Sequence, residues 1–269
     1  MSRRAETAPV VIVTGGSSGI GKSTALALVA CGCRVYEFSR RDGSVPGVTH
    51  LTADVTDEAA VEAAVWQVAE REGRIDVLIN NAGFGISGAV EFTETKDAKR
   101  LLDVNFFGMV RMNRAVIPVM RRQGSGRIVN LSSVAAPIPI PFQTYYSCSK
   151  AAINAYTMAL ANEVRPYGIT VCAVQPGDIR TGFTDARKKS SVGNDVYGGR
   201  IEKSVRGMEH DERNGMRPES VGRFICRVAQ KNSHKPIYTI GAQYKIFCSI
   251  AKLLPLRLLN FFVGRLYAS

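Results

Sequence analysis

The sequence predicts an α/β fold, in which a doubly wound parallel sheet of about seven strands is covered by helices in three α/β/α layers. Two observations predict it. Short apolar runs of strand length alternate with longer segments of helical periodicity, and the first run leads through a glycine-rich turn into a helix. Parallel neighbouring strands need long crossover connections, which such helices supply. Because ligands bind beyond the carboxyl ends of parallel strands, residues directly after strands are the candidates for a functional site.

The individual elements follow from these patterns in chain order. Apolar runs predict strands at Pro9–Thr14, Arg34–Phe38, Thr49–Ala53, Asp76–Asn80, Arg127–Leu131, Thr170–Val174 and Ile237–Ile240. Helical periodicity predicts helices at 19–30, 57–72, 96–122, 145–165 and 218–230, and the stretch 182–216 is polar. We therefore expect one domain over residues 1–241, followed by a C-terminal amphipathic helical tail over 242–269.

Length and composition limit the classes of protein. The chain has 269 residues, 45% of them apolar and 22% charged, which rules out a disordered chain, a collagen or a coiled coil and disfavours two full domains. Its six cysteines form no CxxC pair, so neither a disulfide framework nor a metal site is expected. The N-terminus lacks the apolar core of a signal peptide, and no apolar run is long enough to span a membrane. We expect a cytoplasmic protein with reduced thiols.

Positive charge is concentrated at the C-terminal end. The formal net charge is +12, and from Ser220 to Ser269 there are eight basic residues and no acidic one. The tail over 243–269 also carries many leucine and phenylalanine side chains, a composition typical of an amphipathic helix on a membrane surface. Peripheral membrane contact, a lid over the substrate mouth and a subunit contact are equally good interpretations. Nucleic acid is not an expected partner, because no nucleic-acid-binding module accompanies the charge.

The first turn fits two phosphate-binding patterns. Gly16 to Ser23 matches the P-loop pattern GxxxxGK[ST], in which Lys22 would reach the terminal phosphates of a nucleoside triphosphate. The turn also matches TGxxxGxG, a relative of the dinucleotide fingerprint in which backbone amides hold a pyrophosphate. Its cofactor-binding residues would be Gly15, Ser17, Ser18, Gly19, Ile20 and Gly21. The dinucleotide interpretation is favoured because no apolar strand ends in the aspartate that a P-loop enzyme needs for its metal ion.

The end of the second strand predicts which dinucleotide binds. Ser39, Arg40 and Arg41 follow this strand. A hydroxyl group and guanidinium groups suit the 2′-phosphate of NADP(H), whereas no acid stands at the strand end to accept the ribose hydroxyls of NAD(H). We therefore expect the cofactor NADP(H).

A catalytic set is predicted on the fifth strand and the helix that follows it. Tyr146 and Lys150 are four residues apart, so both side chains project from one face of the helix. Ser133 follows the strand, where its hydroxyl would meet a substrate carbonyl. The unperturbed pKa of a phenol is about 10, and a nearby ammonium together with an oxidised nicotinamide would bring it towards 7. This arrangement predicts acid–base catalysis by Tyr146.

The ordered set of short motifs resembles that of the short-chain dehydrogenase/reductase family over about residues 9–241. The motifs are Thr14–Gly21 (TGGSSGIG), Asp54-Val55, Asn80–Gly83 (NNAG), Asn105 in VNFFG, Ser133, Tyr146–Lys150 (YSCSK) and Pro176–Thr181 (PGDIRT). The resemblance implies a Rossmann-like fold, hydride transfer between NAD(P)(H) and an alcohol or ketone, and a substrate lid at 182–216. It also implies a homodimer or homotetramer formed through the helices 96–122 and 145–165.

The resemblance implies a role for each matching residue. Tyr146 would be the general acid in reduction and the base in oxidation, while Ser133 would polarise the carbonyl. Lys150 would lower the pKa of Tyr146 and hold the nicotinamide ribose, and Asn105 would orient a water that relays protons to Lys150. The remaining cofactor contacts are expected from Asp54 and Val55 at the adenine, Asn81, Ala82 and Gly83 along the adenosine ribose, and Pro176, Gly177, Ile179 and Thr181 at the nicotinamide.

Apolar residues flank the predicted reactive groups. The segments 84–86 and 135–142 favour an apolar secondary alcohol or ketone, with steroid-like and long-chain carbonyl compounds as candidates. Asp178 departs from the family pattern and puts a carboxylate near the expected nicotinamide, where it would affect substrate choice. Two other functions stay open: a P-loop nucleotide triphosphatase and a non-catalytic NADP-binding scaffold. The complete set of catalytic residues disfavours the scaffold.

Overall fold

The computed structural model describes residues 8–231 and 233–268. The strands are β1 (Val10–Thr14), β2 (Arg34–Ser39), β3 (Val48–Thr52), β4 (Val77–Asn80), β5 (Ile86–Ser87), β6 (Gly126–Leu131), β7 (Ile169–Gln175), β8 (Lys188–Lys189) and β9 (Ile237–Thr239). The α-helices are α1 (Gly19–Ala30), α2 (Glu58–Glu72), α3 (Thr95–Leu102), α4 (Gly108–Gln123), α5 (Thr144–Glu163), α6 (Phe183–Ala186), α7 (Arg200–Arg213), α8 (Pro218–Ala229), α9 (Ala242–Leu253) and α10 (Leu256–Tyr267). The first seven residues of the predicted domain, Asn232 and the last residue of the predicted tail lie outside the described residues.

Seven parallel strands form the central sheet, in the order β3-β2-β1-β4-β6-β7-β9. Strands β1 and β4 are buried along their whole length, because helices cover both faces of the sheet. Helices α2, α4 and α5 pack on one face, and α1 and α8 pack on the other. This three-layer Rossmann-like architecture confirms the predicted fold class.

The helix predicted over 96–122 is interrupted. Helices α3 and α4 are joined by a π-helical turn at Asp103–Phe107, which contains Asn105. One extra residue per turn widens the helix at that point, and such bulges are frequent at functional sites. The apolar periodicity of the sequence continues through the turn, so it did not reveal the interruption.

The polar stretch and the tail also contain more structure than the sequence analysis resolved. Helices α6 and α7 occupy the stretch 182–216, and β8 pairs there with β5. The tail consists of two helices that meet at Leu254, whose backbone is extended because Pro255 disfavours helical geometry in the residue before it. Among the described residues, no helix combines the length and the apolar character needed to cross a membrane.

Candidate active site

The glycine-rich turn after β1 is shaped by two close backbone approaches. Gly15 has a φ of 64° and donates its amide to the carbonyl of Phe38 at 2.8 Å. A Cβ added to Gly21 would lie 2.2 Å from the carbonyl oxygen of Gly15, so this position has no room for a side chain. The turn leads directly into α1, whose first amides have no acceptor within the helix. These amides form a cradle that fits a pyrophosphate.

The segment after β4 fixes this cradle by hydrogen bonds. The Asn81 side-chain amide donates to the carbonyls of Thr14 and Gly15 at 3.0 and 3.1 Å. The Thr14 hydroxyl accepts the backbone amides of Asn81 and Ala82, both at 3.0 Å. The neighbouring Gly83 lies close to Asn105, whose Oδ1 would be 3.0 Å from a Cβ added there. The predicted NNAG segment therefore connects the cradle to the catalytic side of the cleft.

The end of β2 leaves two guanidinium groups exposed. Arg40 and Arg41 enter no ion pair with any described residue, and the Ser39 hydroxyl donates to the carbonyl of Arg41 at 2.7 Å. No sequence motif marked Glu37, a buried acid two residues before Ser39. Its Oε1 accepts the Ser39 hydroxyl at 3.2 Å and also contacts His50. Glu37 is the one acidic residue of a strand whose central residues are otherwise apolar, and this is the feature of the sequence that could have indicated it. The exposed guanidinium groups of Arg40 and Arg41 thus follow the buried carboxylate of Glu37 at the predicted adenosine end of the cleft.

The predicted adenine-side residues follow β3 on the same edge of the sheet. Asp54 Oδ1 accepts the backbone amide of Thr56 at 3.0 Å and its hydroxyl at 2.8 Å, which shapes the turn before α2. Val55 is buried against Gly108, where an added Cβ would lie 2.7 Å from its side chain. Both residues therefore border the cleft from the side opposite the catalytic set.

The predicted catalytic residues meet between β6 and α5. The Ser133 hydroxyl, just beyond β6, hydrogen-bonds with Tyr146. Lys150 is buried, its Nζ donates to the carbonyl of Leu131 at 2.8 Å, and it lies 5.5 Å from the centre of the Tyr146 ring. The structure therefore brings a hydroxyl, a phenol and an ammonium group together at the carboxyl edge of the sheet.

Asn105 is held beside this set by the π-helical turn. Its Oδ1 accepts the amide of Phe84 at 2.9 Å, and its Nδ2 donates to the carbonyl of Phe84 at 2.9 Å and to Ser149 Oγ at 3.3 Å. Ser149 directly precedes Lys150. Asn105 is thus rigidly positioned next to the lysine, but its side chain makes no direct bond to it.

Burial determines the protonation of the two central groups. It raises the pKa of Tyr146 to about 12, against a smaller lowering by the hydrogen bond with Ser133, and the charges of Glu212 and Asp178 raise it further. Burial also lowers the pKa of Lys150 to about 8. The sequence predicts that Lys150 lowers the pKa of Tyr146. In the protein alone, desolvation of the phenol is the largest influence on this pKa, and the net shift is upward.

The PGDIRT segment after β7 closes the cleft. The amide of Val134 donates to the carbonyl of Pro176 at 3.0 Å, and Thr181 lies 3.7 Å from the position of a Cβ on Gly19. Ile179 is buried and forms an isolated bridge with Met216 at the end of the lid. The segment therefore lies against the loop of Ser133 and the glycine-rich turn at once, as a nicotinamide-binding segment would.

Side chains of the predicted lid that no sequence motif marked lie near Tyr146. The ring of Phe183 lies 5.8 Å from that of Tyr146, and the Arg187 guanidinium lies 5.7 Å from the Phe183 ring. Arg187 is completely buried and pairs with Glu212 on α7, which also accepts the hydroxyl of Thr184 at 2.7 Å. A buried ion pair therefore underlies the lid beside the reactive groups.

Comparisons with known proteins identify the family. A family model described as short chain dehydrogenase matches residues 9–191. The chain belongs to the short-chain dehydrogenase family. The family assignment confirms the resemblance, and it makes the chain an oxidoreductase that acts on CH–OH groups with an NAD(P)(H) cofactor. It leaves the P-loop alternative without support.

Individual relatives are similar to this short-chain dehydrogenase in sequence or in structure over most of its length. A 3-ketodihydrosphingosine reductase of Bacteroides thetaiotaomicron is 45% identical over 227 residues, which are 83% of this chain and 84% of the relative. A dehydrogenase/reductase SDR family member 7B of Xenopus tropicalis is 30% identical over 95% of this chain and 85% of its own. The crystal structure of a short-chain dehydrogenase from Streptomyces avermitilis superposes with a TM-score of 0.82, at 31% identity and over 91% of this chain and 92% of that one.

Proposed function

We propose that the chain is an NADPH-dependent reductase of a long-chain 2-amino-3-ketone, of which 3-ketodihydrosphingosine is the example. The observation that carries the proposal is the 45% identity to a 3-ketodihydrosphingosine reductase over 83% of this chain. Two apolar segments flank Tyr146, namely the stretch from Ala135 to Phe142 and the loop at Phe84, and they suit an alkyl chain. Of the two substrate classes expected from the sequence, the long-chain carbonyl compound is thereby favoured, and the steroid-like compound has no support from the relatives.

The proposed mechanism assigns a role to each residue of the catalytic set. A bound NADPH would supply the hydride that adds to the carbonyl carbon. Ser133 donates a hydrogen bond to the carbonyl oxygen, and Tyr146 gives its phenolic proton to the same oxygen as negative charge develops there. With a pKa of about 12, the phenol is protonated at neutral pH, which is the state that reduction requires. Lys150 would hold the nicotinamide ribose. Asn105 would orient a water that relays protons to Lys150, so that the phenol regains its proton.

The contacts proposed for the cofactor follow the cleft. The pyrophosphate would be held by Gly15–Gly21, the adenine by Asp54 and Val55, the adenosine ribose by Asn81–Gly83, and the nicotinamide by Pro176, Gly177, Ile179 and Thr181. Arg40 and Arg41, which have no ion-pair partner among the described residues, would hold the 2′-phosphate beside Ser39.

Arg40→Ala tests the preference for NADPH. We expect the KM for NADPH to rise about tenfold or more and that for NADH to change by less than about twofold, because only NADPH carries the phosphate. Arg122→Ala, a change of the same kind on the distant helix α4, is the control. Equal effects of Arg40→Ala on both cofactors would refute the NADP assignment.

The decisive experiment for the reaction is an assay of the purified protein. NADPH oxidation is followed with 3-ketodihydrosphingosine, a long-chain 3-keto acyl thioester and a ketosteroid, each presented in mixed micelles. We expect turnover with the amino ketone, at a kcat/KM at least about tenfold above that for the other two. A preference for the thioester or the steroid would contradict the proposal.

The tail is proposed to contact a membrane surface peripherally. Nine large apolar side chains of α9 and α10 are exposed: Ile246, Phe247, Ile250, Leu253, Leu256, Leu258, Phe261, Phe262 and Leu266. Four exposed cations, Lys245, Lys252, Arg257 and Arg265, accompany them, and no acidic residue lies in the tail. This combination suits an anionic lipid surface, where a long-chain substrate resides.

Cosedimentation with vesicles tests the membrane contact. We expect the protein to sediment with phosphatidylserine-containing vesicles, more weakly at high salt, and we expect the double change Leu253→Glu with Phe262→Glu to prevent it. Trp66→Glu, at a residue of α2 that is 59% exposed, is the matched control because it replaces an exposed apolar side chain outside the tail. A soluble fraction that is the same with and without vesicles would contradict the proposal.

A homodimer or homotetramer is proposed to form through the long helices. Phe107, the last residue of the π-helical turn before α4, and Met158 on α5 are 49% and 44% exposed, which leaves apolar surface beside the long helices. Light scattering of the purified protein would give the mass of the assembly, and Met158→Glu should lower it. A monomeric mass for the unaltered protein would contradict this assignment.

A further inference from the structure

Asp178 brings a carboxylate to the rim of the catalytic cleft. It stands two residues beyond Pro176, whose carbonyl accepts the amide next to Ser133. Its charge is close enough to Tyr146 to raise the pKa of that phenol. The carbonyl of Asp178 accepts the amide of Met216 at 2.9 Å, which joins the segment to the end of the lid. Backbone hydrogen bonds therefore hold the segment of Asp178 between the loop of Ser133 and the end of the predicted lid.

The C-terminal tail orients this carboxylate. The Tyr244 hydroxyl donates to Asp178 Oδ2 at 2.6 Å and accepts the amide of Asp178 at 3.1 Å. The tyrosine ring packs directly on Gly177, where an added Cβ would lie 2.2 Å from it. Tyr267 of α10 is also close, because the charge of Asp178 contributes to its raised pKa. Both tail helices thus approach the carboxylate.

No cation neutralises Asp178 within the part of the chain that the structure describes. Asp178 forms no ion pair with a described residue, and Arg187 of the lid, whose charge also acts on Tyr146, is already paired with Glu212. The other charges that act on Asp178 are those of Asp211 and Glu212, which are acidic. Asp178 is thus a half-buried carboxylate that has a hydroxyl donor and acidic neighbours but no counterion. A cationic group of a ligand would neutralise its charge.

We infer that Asp178, oriented by Tyr244, binds the ammonium group of the substrate and makes the enzyme specific for 2-amino ketones. This inference rests on the proposed function. In 3-ketodihydrosphingosine the amino group is attached to the carbon next to the carbonyl, so its binding group must stand within a few ångströms of the carbonyl site. Asp178 fits this requirement in two respects: its segment is hydrogen-bonded to the loop of Ser133 through Val134 and Pro176, and its charge acts on Tyr146. The alkyl chain leaves the carbonyl on the opposite side from the ammonium group.

Asp178→Asn tests the inference with two ketones that differ only in the amine. The substrates are 3-ketodihydrosphingosine and 1-hydroxyoctadecan-3-one, which lacks the 2-amino group. We expect the substitution to lower kcat/KM for the amino ketone about tenfold or more, mainly through KM, and to change that for the other ketone by less than about twofold. Tyr244→Phe keeps the ring on Gly177 and removes the hydroxyl. It should also lower the preference for the amino ketone, by a smaller factor than Asp178→Asn does.

Two controls separate specificity from structural damage. Asp195→Asn removes the same charge from an exposed position of the lid and should leave both kcat/KM values unchanged. The Kd for NADPH, measured by fluorescence, should stay within about twofold of that of the unaltered protein in Asp178→Asn. Equal loss on both ketones, or weakened NADPH binding, would mean that Asp178 only supports the loop and would overturn the inference.

The outcome for the unaltered protein distinguishes this inference from the proposed function. If that protein reduces neither ketone, or prefers the ketone without the amine, the proposed function itself fails. If it prefers the amino ketone and Asp178→Asn retains the full preference, the function stands and the assignment of the ammonium site to Asp178 is wrong.

Discussion

The two halves of the cleft are held together in different ways. On the cofactor side, Thr14, Gly15 and Asn81 interlock through backbone groups and one side-chain amide. On the substrate side, charged and aromatic side chains of the lid and tail make the contacts, as in the pairs Arg187–Glu212 and Asp178–Tyr244. The cofactor half is thus fixed by chain geometry that any NAD(P)(H) enzyme of the family can share. The substrate half depends on particular side chains, which can change with the ligand.

Tyr146→Phe should have the largest effect and should leave both halves intact. Loss of the proton donor is expected to lower kcat about 10³-fold, because acid catalysis is worth that much in enzymes. Tyr145→Phe, the same change one residue earlier, should retain nearly full activity. The Kd for NADPH and the unfolding temperature should stay unchanged in both variants. Full turnover by Tyr146→Phe would disprove the assigned chemistry.

Arg187→Met should damage the substrate half alone. It leaves the carboxylate of Glu212 unpaired under the lid, and we expect the free energy of unfolding to fall by about 3 kcal/mol in urea titrations. Arg213→Met breaks the exposed pair with Asp185 and should cost less than about 1 kcal/mol. Adding Glu212→Met to the first variant should recover part of the loss. An equal loss of unfolding free energy in Arg187→Met and Arg213→Met would show that burial of the Arg187–Glu212 pair does not stabilise the lid.

Lys150 lies where the two halves meet, and its burial predicts a pH effect on stability. Burial lowers its pKa from 10.5 in the unfolded chain to about 8 in the native protein. Between these values the unfolded lysine binds more protons than the native one, so this group should make the free energy of unfolding rise with pH from about 8 to 10, by about 2 kcal/mol relative to a variant without the lysine. Urea titrations of Lys150→Met should lack this rise. An identical pH profile in that variant would exclude the lysine as its source.

Gly21→Ala should damage the cofactor half alone. The added methyl group overlaps the carbonyl of Gly15, and we expect the Kd for NADPH to rise about tenfold, equivalent to about 1.4 kcal/mol. Gly207→Ala makes the same change on α7, where no heavy atom lies within 4 Å of the added Cβ, and should stabilise the helix by up to about 1 kcal/mol. If NADPH binding survives Gly21→Ala, the cradle is more adaptable than its geometry indicates.

This contrast also explains what the sequence could reveal. The seven strands of the sheet and the position of the glycine-rich turn beyond β1 were predictable, because strand periodicity and short motifs are local. Asp178 and Tyr244 are 66 residues apart, and Arg187 and Glu212 are 25 apart, so only the folded chain brings them together. The role of burial in raising the pKa of Tyr146 was equally invisible, because it depends on the residues that surround the phenol in space.

The contact between Gly177 and Tyr244 makes the far end of the chain a structural part of the catalytic centre. A truncation before residue 244 would remove both the ring that covers the active-site segment and the donor that orients Asp178. Activity measurements on such shortened proteins would therefore report on the docking of the tail as much as on the chemistry.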